Sequence, residues 1–294
     1  MNMRILVIGK NGQLGQSIKK NVDEKKIHDL NNYDFVFIGR EELNLEHIEN
    51  IKSYFDLNEF NIIINCAAYT KVDEAEENHK QANLINNIAV RELARIAKTK
   101  NIKLIHISTD FVFDGSKKKP YTEDDATSPL NIYGETKLAG ELGVMSIMET
   151  NSLIIRTCWL YSEFGNNFVK TILNYAKKNT TLDVVCDQFG TPTYANDLAL
   201  SIMYIVSSDK FIEDNSSKIF HYSNEGEASW YEFAKEVISF SDIDCQLNPI
   251  YTEDYPLAAK RPKYSILSKE KISEEYLLNI ENWKDSLKAC LQNL

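Results

Sequence analysis

At 294 residues and 43% hydrophobic composition, the chain suits one large α/β domain, or a main domain with a smaller companion. A formal charge of −10 excludes a surface built to coat nucleic acid, and the absence of a long apolar run excludes a membrane-spanning helix. The five cysteines are scattered, without any C-x-x-C pair, so neither a disulfide framework nor a metal site is expected; with no secretory leader at Met1, the reading is a cytoplasmic protein.

The chain opens on Arg4-Ile5-Leu6-Val7-Ile8, which reads as a fully buried strand, and runs into Gly9-Lys10-Asn11-Gly12-Gln13-Leu14-Gly15 and a helical stretch. The Gly-x-x-Gly-x-x-Gly spacing differs by one step from the Gly-x-Gly-x-x-Gly dinucleotide fingerprint, but its logic is the same: a tight turn, close backbone approach to a pyrophosphate, and close helix–strand packing. A bare glycine triplet is often only a turn. Its place between a first strand and a helix makes Gly9, Gly12 and Gly15 candidates for dinucleotide binding, with the positive helix end facing the phosphates.

Further strands are expected at 35–38, 62–65, 104–108 and 153–157, with helices at 14–22, 48–55, 82–99 and 133–148 between them. This alternation implies a Rossmann-type doubly wound parallel sheet with helices on both faces. Strand two ends Phe37-Ile38-Gly39-Arg40, with no acid at the ribose-reading position, so Arg40 is placed to clasp a 2′-phosphate and NADPH is favoured; the adjacent Glu41 and Glu42 leave NADH open. Strand three ends Asn65-Cys66-Ala67-Ala68-Tyr69-Thr70, where small residues let the backbone approach a cofactor.

Strand four ends at Ser108-Thr109-Asp110, and Asn131, just after Pro129, suits the N-cap of the next helix. On that helix Tyr133 and Lys137 are four apart and project from one face. An ammonium beside a phenol favours the phenolate, bringing proton exchange closer to neutral pH, as a carbonyl reduction requires. Such a pair on a solvated helix is commonplace, and a strand-end Thr usually satisfies backbone. Together with the glycine loop, Thr109, Tyr133 and Lys137 point to a nicotinamide-dependent reductase. Beyond 157 the rhythm loosens, with helices expected at 168–178, 195–207, 229–240 and 273–292 and short strands at 182–186, 219–222 and 247–251. The expected division is a dinucleotide-binding domain at 1–157, with a later strand returning to it near 182–193, and a mainly substrate-binding lobe at 158–294.

The glycine loop, Ser108-Thr109-Asp110-Phe111-Val112-Phe113-Asp114-Gly115, Asn131-Ile132-Tyr133-Gly134-Glu135-Thr136-Lys137-Leu138-Ala139-Gly140-Glu141 and Asp187-Gln188-Phe189-Gly190-Thr191-Pro192-Thr193 together resemble the dTDP-4-dehydrorhamnose reductase family of extended short-chain dehydrogenases/reductases. The resemblance extends to Ala259-Lys260-Arg261-Pro262 and covers nearly the whole chain. It implies NAD(P)H-dependent reduction of the C4 ketone of dTDP-4-dehydro-L-rhamnose to dTDP-L-rhamnose, a nucleotide-sugar substrate. On this resemblance Tyr133 protonates the C4 oxygen, Lys137 holds the nicotinamide ribose and depresses the tyrosine pKa, and Thr109 hydrogen-bonds the same oxygen.

The resemblance also implies that Gly12, Gln13 and Leu14 line the pyrophosphate and that Asn44 and Leu45 pass the adenine. Ala67, Ala68, Tyr69 and Thr70 flank the cofactor, and Asn86 supports strand four. Asp110 orients substrate hydroxyls or caps a turn, Trp159 packs on sugar or base or is a core tryptophan, and Arg261 meets the diphosphate or is a surface arginine before Pro262. Two positions depart from the family pattern. Phe111 stands where many relatives have Tyr, and Ser17 where some have a Glu tied to a metal-bridged dimer, so no magnesium site is carried over and a homodimer stays open. Another nucleotide-linked 4-keto-6-deoxy sugar would suit the same motifs. Nucleotide-sugar dehydratases and epimerases share the fold and the Tyr/Lys pair, and the branch includes a non-catalytic regulatory subunit of methionine adenosyltransferase. Phe111 after Asp110 argues against dehydration, and the complete Thr109/Tyr133/Lys137 set against a purely binding role.

Overall fold

A strand covered on both faces needs apolar side chains at successive positions, and Ile5, Leu6, Val7 and Ile8 are each at most 1% exposed. They form β1 (Met3–Ile8) in the computed structural model, which describes residues 3–27, 30 and 33–294. The glycine loop leads to α1 (Gln13–Asp23), then β2 (Tyr33–Ile38), α2 (Ile48–Leu57) and β3 (Ile62–Asn65). Two short helical segments, α3 (Val72–Ala75) and α4 (His79–Asn83), pass through a π-helical turn at Leu84–Ile88 into α5 (Ala89–Lys100). β4 (Lys103–Thr109), α6 (Ile132–Ile147) and β5 (Ser152–Thr157) complete the first half.

After β5 come β6 (Leu160–Tyr161), α7 (Phe168–Ala176), β7 (Thr181–Val185), β8 (Phe189–Gly190), β9 (Thr193–Tyr194), α8 (Ala195–Ser207), α9 (Asp209–Glu213) and β10 (Ser217–His221). β11 (Ala228–Ser229), α10 (Trp230–Ser239), β12 (Gln246–Ile250), α11 (Glu270–Tyr276) and α12 (Trp283–Leu291) follow. No helix among the described residues is long and apolar enough to cross a membrane.

The main sheet is parallel throughout, in the order β10-β5-β4-β3-β1-β2. Its strand order reverses between β1 and β3, so the crevice beyond their carboxyl ends is a topological switch point, where open α/β sheets bind ligands. Alternate residues serve two cores. Ile5, Val7, Ile62, Ile64 and Ile155 face α1 and α8, while Leu6, Ile8, Ile63 and Ile154 face α2, α5 and α6. A separate core of Tyr161, Val169, Phe233, Trp283 and Leu287 joins α7, α10 and α12 in a smaller lobe.

Three sequence expectations are corrected. No strand from 182–193 returns to the main sheet: β7 pairs in parallel with β12, and the sixth main-sheet strand is β10. Thr181 and Asp183 are exposed, a one-sided pattern unsuited to a sheet covered on both faces. The expected helix at 82–99 is interrupted by the π turn, and the expected helix at 273–292 is two helices, divided after Leu277 at φ 53°, a left-handed helix stop.

Gly140, buried on α6, lies where a Cβ would stand 2.2 Å from the Asn86 carbonyl oxygen in the π turn. In an open helix, Gly→Ala stabilises by about 1 kcal/mol. Here overpacking, about 1–3 kcal/mol, outweighs that gain. Gly140→Ala is therefore expected to lower the urea midpoint, and an unchanged or raised midpoint would contradict the close seating of α6.

Candidate active site

The start of α6 is fixed from two sides. Asn131, its N-cap, accepts the Gly134 N–H at 2.8 Å and donates through Nδ2 to the Lys260 carbonyl at 2.7 Å. A Cβ on Gly134 would meet the Phe111 carbonyl oxygen at 2.2 Å, so only glycine lets α6 press against the turn that follows β4. The Tyr133 phenol consequently faces the Thr109 hydroxyl, and its ring packs edge-on to Phe111 at 5.7 Å. One turn on, Lys137 is 1% exposed and donates from Nζ to the Ile107 carbonyl at 2.6 Å. Thr109, Tyr133 and Lys137 thus converge at the carboxyl end of β4. Asp110, 2% exposed, lies beside them, with Oδ1 3.1 Å from the Thr109 hydroxyl.

Burial governs the electrostatics. It pushes the Tyr133 phenol up to about 12; the neighbouring Thr109 hydroxyl works against this and the Asp110 charge adds to it. The ring keeps some exposure, so it is the protein packed around the hydroxyl that raises it. Burial pushes the Lys137 ammonium down to about 8, with Glu141 opposing. It raises the Asp110 carboxyl to about 7. The expected depression of the tyrosine pKa by Lys137 is not found: burial dominates the phenol, and the Lys137 Nζ donates to the Ile107 carbonyl.

The glycine loop meets β3 at close quarters. Gly9 adopts φ +97°, and a Cβ there would stand 2.9 Å from Ala67 N; one on Gly15 would stand 2.2 Å from Gly9 O. The N-terminus of α1 carries no side-chain cap, since its N-cap is Gly12, so its first-turn N–H groups and dipole face the switch-point crevice. These residues fit a dinucleotide pyrophosphate. Gln13 and Leu14 offer only backbone to it. Leu14 is core, and the Gln13 side chain bonds Leu160 O at 3.2 Å and accepts from Ser162 and Asn167, each at 2.9 Å.

Ala67 and Ala68 are half-buried beside the loop, Tyr69 is buried and Thr70 exposed. Asn86 does not bond strand four. Its amide accepts the Tyr69 N–H at 2.8 Å and donates to Tyr69 O and to Thr136 on α6, tying the loop after β3 to the helix of Tyr133. Leu45 belongs to the core, and the Asn44 side chain caps its own turn through Glu46 N. At the end of β2, Arg40 is 69% exposed and 3.3 Å from Glu46, while Glu42 binds both Lys10 Nζ and the Gly39 N–H.

A cavity of about 1040 Å³ opens between the lobes' surface segments, walled by Phe168, Tyr175, Trp230, Leu257, Arg261 and Lys263. Asp114, Gly115 and Leu130 also line it, but it stops short of Tyr133. Arg261 is not a lone surface arginine: its guanidinium clasps Asp73 at 3.1 and 2.5 Å and holds that carboxyl below its ordinary range. Trp159 holds φ +47°, stacks on Trp230 at 3.4 Å, and occupies the space a side chain at Gly190 would need. Sequence reading missed Trp230, Asp73 and the buried Glu141–Arg156 pair (2.7 to 3.1 Å); only the Ser229–Glu232 capping box ahead of Trp230 left a local signal. Ser17 is fully buried and donates to Gln13 O at 2.9 Å.

Residues 3–294 match the family described as the RmlD substrate binding domain. The chain is 37% identical to the dTDP-4-dehydrorhamnose reductase of Sinorhizobium fredii over 98% of this chain and 97% of that protein. It is 34% identical to the dTDP-4-keto-6-deoxy-D-glucose reductase of Streptomyces niveus, over 98% and 97% respectively. A crystal structure of the Bacillus anthracis dTDP-4-dehydrorhamnose reductase in complex with NADP superposes with TM-score 0.92 at 35% identity, covering 100% of both chains. The chain belongs to the dTDP-4-dehydrorhamnose reductase family.

The raised Asp110 carboxyl makes stability depend on pH. An unfolded Asp ionises near 3.8 and the native one near 7, so the unfolded state alone gains from ionisation between them. The Asp110 contribution to stability is therefore full below about pH 4 and falls as pH rises toward 7, by on the order of 4 kcal/mol. Relative to wild type, Asp110→Asn is expected to gain Tm progressively from pH 4 to 7 and then level off. A difference that shrinks over that range would contradict the raised carboxyl.

Proposed function

We propose, from the premise of that family membership, that the protein uses NADPH to reduce the C4 ketone of dTDP-4-dehydro-L-rhamnose, giving dTDP-L-rhamnose. The observation that carries the reading is the Tyr133 phenol facing the Thr109 hydroxyl beside an uncapped helix N-terminus that suits a pyrophosphate. NADPH is favoured because a relative of 35% identity binds NADP. Bound, it supplies the hydride that reaches C4.

The chain's own residues do the rest. The first turn of α1 binds the cofactor diphosphate through backbone N–H groups. Tyr133 gives its proton to the C4 oxygen, and its raised pKa keeps that proton in place at neutral pH. Thr109 orients and polarises the same oxygen. Lys137 holds the nicotinamide ribose hydroxyls, exchanging part of its bond to Ile107 O. Residues 1–157 form the dinucleotide-binding part, with α8 and β10 added from the second half. The remainder of 158–294 holds the nucleotide, base against the aromatic wall and diphosphate toward Arg261 and Lys263, and the sugar extends past the cavity to Thr109 and Tyr133. The five cysteines are free thiols, in keeping with a cytoplasmic enzyme.

The Streptomyces niveus relative favours one alternative, reduction of the 4-keto sugar before epimerisation. A coupled assay separates the two. NADPH oxidation is expected only after both a 4,6-dehydratase and a 3,5-epimerase have acted on dTDP-glucose, with an L-rhamnose product by NMR. Vigorous oxidation without the epimerase would move the assignment to the alternative. Tyr133→Phe keeps the ring and removes the proton, so kcat is expected to fall about 10²–10⁴-fold; near-normal turnover would remove Tyr133 from the mechanism. Arg40→Ala should weaken NADPH by about 1.5 kcal/mol, the low end for a charge-assisted hydrogen bond, and leave NADH unchanged. Equal losses would show that Arg40 does not read the 2′-phosphate.

A further inference from the structure

The Thr109 hydroxyl has one proton and two lone pairs, and three neighbours compete for them. The Phe111 N–H donates to Oγ1 at 3.2 Å and takes one lone pair. One proton and one lone pair remain, to be shared between Asp110 Oδ1, at 3.1 Å, and the side of the hydroxyl that faces Tyr133. Which partner receives the proton depends on what Asp110 offers.

We propose that the Asp110 carboxyl sets the direction of the hydrogen bonds at the catalytic centre. Protonated, it donates to Thr109, fills the remaining lone pair, and leaves both the Thr109 and the Tyr133 protons free to point at the ketone oxygen. Ionised, it takes the Thr109 proton, and Thr109 then presents a lone pair to Tyr133. The phenol donates to Thr109 instead of to the substrate. The inference deepens the reductase reading and rests on it.

The surroundings support a protonated resting state. Asp110 is 2% exposed, and its Oδ2 is buried without a partner at normal hydrogen-bond geometry; the Ser265 and Thr109 hydroxyls and nearby backbone N–H groups favour the charged form, but burial outweighs them. The groups facing it are Tyr133 from α6, Cys158 just past β5, Ser265 from the segment after β12, and Thr109 and the Phe111 N–H of its own turn. The Cys158 thiol is held un-ionised, pushed up to about 12, and donates to the Thr191 carbonyl. Lys269, whose charge reaches Cys158, is engaged with Glu225 at 3.4 Å. Among the described residues no cation acts on Asp110 to hold it ionised, and burial raises its carboxyl to about 7.

The test is the pH profile of kcat at saturating NADPH and sugar nucleotide, for wild type and Asp110→Asn. Above a limb near neutrality, wild-type kcat is expected to fall roughly tenfold per pH unit, as for loss of one essential proton. An amide carries N–H donors at every pH, so in Asp110→Asn the limb should vanish, with kcat varying within about twofold over the same range. A limb unchanged in Asp110→Asn overturns the proposal and assigns the titration elsewhere, Lys137 at about 8 being the other group in range. A folded, NADPH-binding Asp110→Asn without turnover overturns it as well. Independently of any variant, ¹³C NMR of aspartate-labelled wild type should show one carboxyl titrating at the midpoint of the kcat limb. No aspartate carboxyl titrating near neutral pH, all having ionised in the ordinary range around pH 4, sinks the inference even if the variant does not fold. Wild-type turnover itself tests the reductase reading, so the two fail separately.

Discussion

The seating of α6 is the constraint on which the site depends. Tyr133 and Lys137 reach the end of β4 because Gly134 and Gly140 let the helix backbone approach the Phe111 and Asn86 carbonyls more closely than any Cβ allows. Beneath it, Glu141 and Arg156 form a buried pair with side chains 1% and 4% exposed, and Arg156 also lies over the Phe113 ring. Removing one partner of such a pair leaves an uncompensated charge at a cost of about 3–5 kcal/mol, whereas an apolar replacement of both is often neutral. The pair therefore contributes less to net stability than to fixing α6 relative to β5. That fixed position carries Lys137 to the Ile107 carbonyl and the Tyr133 phenol to Thr109.

The same seating joins the two ligand regions. Asn86 bonds the loop after β3 and Thr136 on α6, so the wall flanking the cofactor cradle and the helix of Tyr133 share one buried amide. Gln13 does the corresponding work on the other side, linking the first turn of α1 to Leu160, Ser162 and Asn167 at the base of the smaller lobe. Helix α1 is thereby tied through one side chain to the segment that leads into α7, whose Phe168 and Ile172 line the large cavity. Placement of the cofactor cradle and of the substrate cavity is one mechanical problem, not two.

How much of this was legible in the sequence follows from how local each feature is. β1 to β5 were readable as apolar runs because a sheet covered on both faces demands them, and the Asn131 N-cap and glycine loop announce themselves within a few residues. β10 was seen as a strand but not as the sixth of the sheet, since pairing with β5 depends on register across distant sequence. The break within 82–99 was invisible because the π turn preserves a helical apolar pattern. Arg261 read as ambiguous because its partner, Asp73, lies 188 positions away in the chain. The stack of Trp159 on Trp230 likewise arises only when α10 closes over the strand ends. The tyrosine pKa departs from expectation for a different reason: spacing places Lys137 near Tyr133, but the phenol is governed by how much protein packs around it, which spacing does not show.

Desolvation then acts on the three titratable groups in one direction, toward neutral forms, yet its consequences differ with charge type. The phenol is driven up to about 12, the carboxyl up to about 7, and the ammonium down to about 8. Between the carboxyl and ammonium values the site passes from all three groups protonated to only the phenol holding its proton firmly. A reductase must deliver one proton per turnover, and a site that resists phenolate formation keeps that proton on Tyr133 until charge develops on the ketone oxygen. A neighbouring cation would lower the phenol at the cost of proton retention. The burial imposed by α6 is what leaves the phenol in its donor state.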